Sequence, residues 1–401
     1  MDRMTSDTVG QEYDVLCDLR DSIPGILDAR LAAAGFGDLT ENELLVLAAM
    51  NFDRSDARSL IRRLGISSQV GSESVEKMIL RGYLDFVDSP DNPRQSALSV
   101  TKRGRAAFEE CEGALKADRW TDFSFRPGDI VISTEPKSGT TWMQMICALL
   151  IFQSPVLPAP LPELSPWIDR LAGRAEIYAE LAAQRHRRFI KTHVPLNEIP
   201  VDEQVTYIVV ARNPLDTALS LHYQDSVLLE GQRKHREPRE WLLNHIDSMV
   251  TSQRERDSYL GMMLSNLCGA WERRAEPNVA LRHYEDLSAD LAGEMRRLAE
   301  LLDITVPDAE WPCLVEAATF EHMRATADRI SPLISETKGN ASDGYAAFFR
   351  RGSSGEGKSL LTDAELDRYY AGAARIAPRE FLAWLHRDIV ADPRDGSMAG
   401  T

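Results

Sequence analysis

Residues 136 to 142 read Pro-Lys-Ser-Gly-Thr-Thr-Trp, placing one cation (Lys137), three hydroxyls (Ser138, Thr140, Thr141), a turn-forming glycine (Gly139) and an indole (Trp142) within seven positions. That set can hold a phosphate-like anion. Successive backbone N–H groups, hydroxyl donors and a lysine at a helix N-terminus concentrate positive potential where such an anion would lie. The Trp142 indole offers a face on which a purine could stack. The spacing is not that of the common mononucleotide loop, Gly-x-x-x-x-Gly-Lys-Ser/Thr, because Lys137 precedes Gly139 by two positions. For these groups to converge, the stretch must run strand, turn, helix. The apolar β-branched run Ile130-Val131-Ile132 supplies the strand, and Pro136 and Gly139 the turn. The unbroken apolar run 145–152 supplies a buried helix, far short of the roughly 20 residues that span a bilayer.

Further strands are expected at 188–191, 205–211 and 278–284. Helices are expected at 176–186, 215–229, 252–274 and 287–302, with a polar loop over 230–240 and a proline-rich surface segment over 155–166. Strands alternating with helices predict an α/β domain with a mostly parallel central sheet. A parallel sheet gathers its ligands at the carboxyl ends of its strands. The residues there are Lys191-Thr192-His193, Arg212-Asn213-Pro214 and Tyr284-Glu285-Asp286.

The 136–142 heptapeptide resembles the 5′-phosphosulfate loop of the soluble sulfotransferases, which use 3′-phosphoadenosine-5′-phosphosulfate (PAPS) and release PAP. The likeness covers about residues 120–390 and implies a P-loop-like three-layer fold. It is nearest to the bacterial glycolipid sulfotransferases, through Ser165-Pro166-Trp167-Ile168-Asp169, His186 to His193, Phe348 to Gly352 and Leu382-Ala383-Trp384. The resemblance implies that His193 in Lys191-Thr192-His193 is the general base, its reference pKa of about 6.5 suiting that task. Lys137 and Lys191 would stabilise charge on the transferring group, the positioning and electrostatics that carry related phosphoryl transfers. Arg212 and Ser220, eight apart, would hold the cofactor 3′-phosphate together with Arg350, Arg351 and Gly352. Tyr284, Thr319 and Phe320 would contact the nucleoside. No metal is required, and the acceptor would be a small molecule, lipid or glycolipid carrying a hydroxyl or amine. The chain departs from the family at Glu135, where a neutral residue is usual, and at Gly357, where an aromatic is common. The family's short dimer motif is reduced to Lys358, Thr362-Asp363 and Asp367.

Residues 1–118 follow another pattern, leaving 119–401 for the sulfotransferase domain. Helices are expected at 11–34, 44–51 (Thr40 as N-cap, Glu43 as capping-box partner), from Ser55, at 73–81 and at 102–117, with a two-stranded wing from Tyr83-Leu84 to Val100-Thr101. This mainly α order resembles the winged helix of MarR-type regulators, whose recognition helix enters the DNA major groove. Here that helix carries Glu73 and Glu76 against Lys77 and Arg81, and the segment holds 14 Lys and Arg against 21 Asp and Glu, a net −7. DNA is therefore not the expected partner. Homodimerisation through this domain, or its docking over the acceptor pocket, is expected instead.

The whole chain carries −16, against general attraction to nucleic acid or anionic membrane. Five scattered cysteines without a Cys-x-x-Cys pair indicate reduced thiols, no zinc site and a cytoplasmic protein. The N-terminus shows no secretory signal pattern. The rival reading is a DNA-binding regulator whose sulfotransferase-like domain senses PAPS or PAP without turnover. A sensor has no need of His193.

Overall fold

The computed structural model describes residues 30–52, 66–89, 92–170, 173–228, 237–252, 258–330, 349–350, 352 and 354–387. Most of the helix expected at 11–34, the helix from Ser55, residues 230–236 and Arg351 lie outside them. The chain divides into two compact units, one of residues up to Phe123 with Ile168–Ala182, the other of Ser124–Trp167 with Ala183 onward.

In the first unit the helix Glu41–Phe52 opens as expected, the Thr40 N–H donating to the Glu43 carboxylate at 2.8 Å. The next helix, Ser68–Leu80, begins a full turn earlier than expected, because the Ser67 hydroxyl caps it by accepting from the Val70 N–H. The residues before Glu73 join the helix because of that cap, with Gly71 and Ser74 buried. Strands β1 (Leu84–Ser89) and β2 (Asn92–Val100) form the expected antiparallel hairpin, Leu84 opposite Val100. The helix Lys102–Asp118, capped by Thr101, crosses the hairpin so closely that a Cβ at Gly104 would lie 2.2 Å from the Tyr83 carbonyl oxygen. Leu44–Met50, Met78, Tyr83, Val100, Ala107 and Cys111 share one core. The helix Arg174–Ala183, shorter than expected, contributes to this unit: Arg174 pairs with Asp118 at 2.7 Å, and the Tyr178 ring meets Phe123 edge-on.

In the second unit β3 (Ile130–Ser133), β4 (Phe189–Thr192), β5 (Thr206–Ala211) and β6 (Val279–His283) form a sheet in the order β4-β3-β5-β6, every pairing parallel. Strands buried on both faces need continuous apolar runs, and β3 and β5 have them. The chain goes from β3 to one neighbour and returns to the other, so a crevice opens past the carboxyl ends of β3 and β5. The helix Thr140–Phe152 is buried along most of its length and packs with β3 in the main core. After β5 comes Pro214–Leu228, with Pro214 in its first turn as expected. The segment expected as a polar loop followed by one long helix contains two helices, Pro238–Thr251 and Tyr259–Glu272. Pro238 starts the first, and the Ser258 hydroxyl caps the second. Likewise the helix expected over 287–302 is two, Tyr284–Ala289 and Leu291–Leu301, broken where Asp290 caps the second.

Candidate active site

The loop between β3 and the helix Thr140–Phe152 takes the form the sequence predicts. Lys137 adopts a left-handed backbone (φ 68°), and Gly139, at φ 107°, is the N-cap. A Cβ at Gly139 would lie 3.2 Å from the Tyr284 ring, so this position favours glycine for both conformation and space. The Thr134 and Thr140 hydroxyls bond to each other beneath the loop. Ser138 is fully buried, and its hydroxyl finds no hydrogen-bond partner among the described residues. A buried hydroxyl left so is costly unless a ligand completes it. The N-terminal N–H groups, this hydroxyl and Lys137 form a donor set that fits a phosphate-type anion.

Three cations bear on that position. Arg212, just past β5, donates Nη1–H to the Lys137 carbonyl at 3.0 Å and lies over the Tyr284 ring at 4.3 Å. Lys191, near the end of β4, lies over the Trp167 ring at 4.5 Å. Burial, then the charges of Arg212 and Lys191, hold Lys137 down to about 8. Three positive groups repelling one another in a buried site give an arrangement that an anion relieves.

His193 follows β4. Its Nδ1 lies 2.7 Å from the Thr134 carbonyl, which can only accept, so Nδ1 carries a proton and the neutral ring has its lone pair at Nε2. The Thr134 N–H donates to the Thr192 carbonyl, and the Ser133 hydroxyl donates to the Val194 carbonyl at 2.7 Å, fixing the end of β4 against β3. The half-exposed Trp167 ring meets the His193 imidazole edge-on at 5.5 Å. A histidine, two lysines and an aromatic face thus lie close together.

The residues expected to line a nucleoside gather around Trp142 and Tyr284. Their rings meet edge-on at 5.3 Å, and the indole N–H donates to the Ala318 carbonyl beside Thr319. Thr319 caps the helix Phe320–Ala325, accepting from the His322 N–H. Gly352, at φ 64°, presses on Phe320, whose ring carbons would lie 2.6 Å from a Cβ there. Arg350 makes a two-pronged ion pair with Glu356 and stacks on Tyr223 at 4.1 Å. Thr141 and Ser220 are half-buried on their helices. Arg351 lies outside the described residues.

Sequence reasoning missed several supports. Glu135 is almost wholly buried and accepts from Asn266 at 2.8 Å; burial outweighs that bond and pushes its carboxyl up to about 7. The buried Asp216 carboxylate takes the Gly355 and Gly357 N–H groups at 2.7 and 2.8 Å. Gly357 sits against the Leu215 backbone so closely that a Cβ would lie 2.6 Å from its carbonyl carbon, so glycine suits this position. The signal for Asp216 was its place in the first turn of a proline-started helix, where a carboxylate binds N–H groups readily.

The sulfotransferase domain family matches residues 127–374. A glycolipid sulfotransferase of Mycobacterium bovis is 37% identical over 318 residues, covering 68% of this chain and 93% of the relative. Sulfotransferase 1A1 of the dog is 27% identical over 265 residues, covering 63% and 85%. A mouse sulfotransferase solved in complex with PAP superposes with a TM-score of 0.54 at 21% identity, covering 69% of this chain and 94% of that one. That likeness is one of fold.

Proposed function

The chain belongs to the sulfotransferase family, and from that membership we propose that it moves the sulfuryl group of PAPS to a hydroxyl or amine of a lipid, glycolipid or other small-molecule acceptor, releasing PAP. PAPS supplies an activated sulfuryl group on a phosphate leaving group. The residues present fit it: the Ser138 hydroxyl and the N-terminal N–H groups suit the 5′ end, with Lys137 and Lys191 as the nearby cations. Arg212, Ser220, Arg350, Arg351 and Gly352 would hold the 3′-phosphate. Trp142, Tyr284, Thr319 and Phe320 would line the nucleoside. His193, with Nδ1–H committed to the Thr134 carbonyl, takes the acceptor proton at Nε2.

The observation that carries this reading is the convergence of Lys137, Lys191 and Arg212 on one loop beside a histidine held in the tautomer a base needs. The catalytic domain is read as 119–401 and residues 1–118 as an appended MarR-like domain serving self-association, with no DNA partner, in a cytoplasmic protein. Among the described residues no helix is long and apolar enough to cross a membrane. The test is incubation of the full chain with PAPS radiolabelled in its sulfuryl group and a panel of glycolipid, hydroxylated lipid and phenolic acceptors. Labelled acceptor and stoichiometric PAP are expected. Tight PAP binding with no label transferred to any acceptor would favour the sensor reading.

A further inference from the structure

The proposed 3′-phosphate site is assembled from two stretches far apart in sequence. Arg212 and Ser220 lie at and beyond the start of the helix Pro214–Leu228, whereas Arg350 and Gly352 lie more than a hundred residues later. One side chain ties the two together. Asp216, 4% exposed in the first turn of that helix, receives the Gly355 N–H on one carboxylate oxygen and the Gly357 N–H on the other. Charge-assisted bonds to backbone donors are among the stronger ones, and two on one buried carboxylate fix both distance and orientation. Gly355, at φ 94°, turns the chain into this grip, and Gly357 rests directly on the Leu215 backbone. Between them Glu356 points back to form the two-pronged pair with Arg350, whose guanidinium stacks on Tyr223 of the same helix. The charge of Asp216 also reaches Tyr284, the ring beneath Arg212. That phenol is raised by burial, lowered by Arg212 and raised again by Asp216.

We propose that Asp216 is the positioning residue of the 3′-phosphate site: by clamping the Gly355–Gly357 turn onto the first turn of the helix, it sets Arg350 and Gly352 at the right reach from Arg212 and Ser220. It touches no part of the nucleotide itself. The inference rests on the proposed use of PAPS, and selectivity for a 3′-phosphate is what it explains. Glu356 works in the same assembly. Its two bonds engage Nη1 and Nη2 of Arg350, and the outer N–H groups of the fork remain to meet a phosphate.

The test is calorimetric titration of PAP and of 5′-AMP, which lacks the 3′-phosphate, against the full chain and two variants. Asp216→Asn keeps the shape and one acceptor oxygen but turns the other into a donor facing an N–H. Gly357→Ala leaves Asp216 untouched and lifts the turn off Leu215. Each variant should lose ~10-fold or more in PAP affinity, the size expected for a charge-assisted bond. The 5′-AMP affinity should be unchanged, so the PAP to 5′-AMP ratio collapses. A merely structural role would lower the melting temperature and leave that ratio at the wild-type value. If Asp216→Asn does not fold, Gly357→Ala answers the same question. A wild-type ratio in every variant that folds overturns the positioning role while leaving PAPS use standing. A wild-type protein that binds PAP and 5′-AMP equally would instead overturn the proposed 3′-phosphate site.

Discussion

The first unit and the anion loop of the second treat buried charge in opposite ways. In the first, Glu43 is 2% exposed and is met by the Arg81 guanidinium, while Arg103 lies over the Tyr83 ring and Tyr83 donates to Asp38 at 2.6 Å. Against the rise that burial alone would bring, Tyr83, Arg81 and Arg103 lower the Asp38 carboxyl. Each of these charges sits beside its complement. In the second unit, Lys137 is held down to about 8 beside two further cations, and Glu135 is held up to about 7 with an amide as its hydrogen-bond partner. Folding gains nothing from either. Charge that is settled internally supports a fold, and charge left under stress marks a candidate site. The contrast also bears on DNA: Arg81, half the cationic content of the supposed recognition helix, is spent on Glu43 and the Asp38 carbonyl.

The sharpest way to break this comparison is His193→Ala. Transfer should fall ~10²-fold or more, while PAP still raises the melting temperature; wild-type turnover would remove the histidine from the chemistry. Next comes Glu135→Gln. The carboxyl is raised in the folded state, so its neutral form is the favoured one, and stability is lost as pH climbs from the unfolded value near 4.3 through about 7. The amide variant should match wild type near pH 4 and be more stable by on the order of 2 kcal/mol at pH 8. Urea melts at both pH values decide it, and a constant difference would place the effect elsewhere. A third test uses Lys137, which an anion binds in its charged form. PAP affinity should be nearly level between about pH 7 and 8, above the phosphate's own pKa near 6, and drop by roughly tenfold between pH 8 and 9.5, a slope that Lys137→Met should abolish in calorimetry. In the first unit, Arg81→Ala should cost about 1–2 kcal/mol in denaturant melts by stranding Glu43, with turnover per folded molecule unaltered. The smallest expectation is no change at all: fluorescence anisotropy of pooled genomic fragments near physiological salt should show no sequence-selective binding. Submicromolar selectivity would mean that the remaining cations suffice for DNA.

What the sequence disclosed follows the range of the interactions. The anion loop was legible because its conformation, donors and helix dipole all come from seven consecutive residues. The parallel sheet was legible because strands buried on both faces must be continuously apolar. Asp216 was not, since its partners lie 139 and 141 residues away. Nor was the strain on Glu135, which depends on Asn266 and on burial that no local pattern reports. The helix Pro238–Thr251 was missed because its start is masked by polar residues, while Ser67 displaced the start of another by capping a stretch that otherwise reads as a turn.

Lys137 carries a consequence of a different kind. Four non-glycine residues among those described have positive φ, and Gln153, Asp303 and Arg387 stand at helix C-termini, where a left-handed residue is ordinary. Lys137 stands at no helix end of that sort, and a β-carbon in that region costs of order 1 kcal/mol. Glycine would be more comfortable there and would also remove a crowded cation. A laboratory selection for thermal resistance alone should therefore drift toward Lys137→Gly, yielding hardier proteins that no longer turn over, and a selection that screens both properties should never recover it.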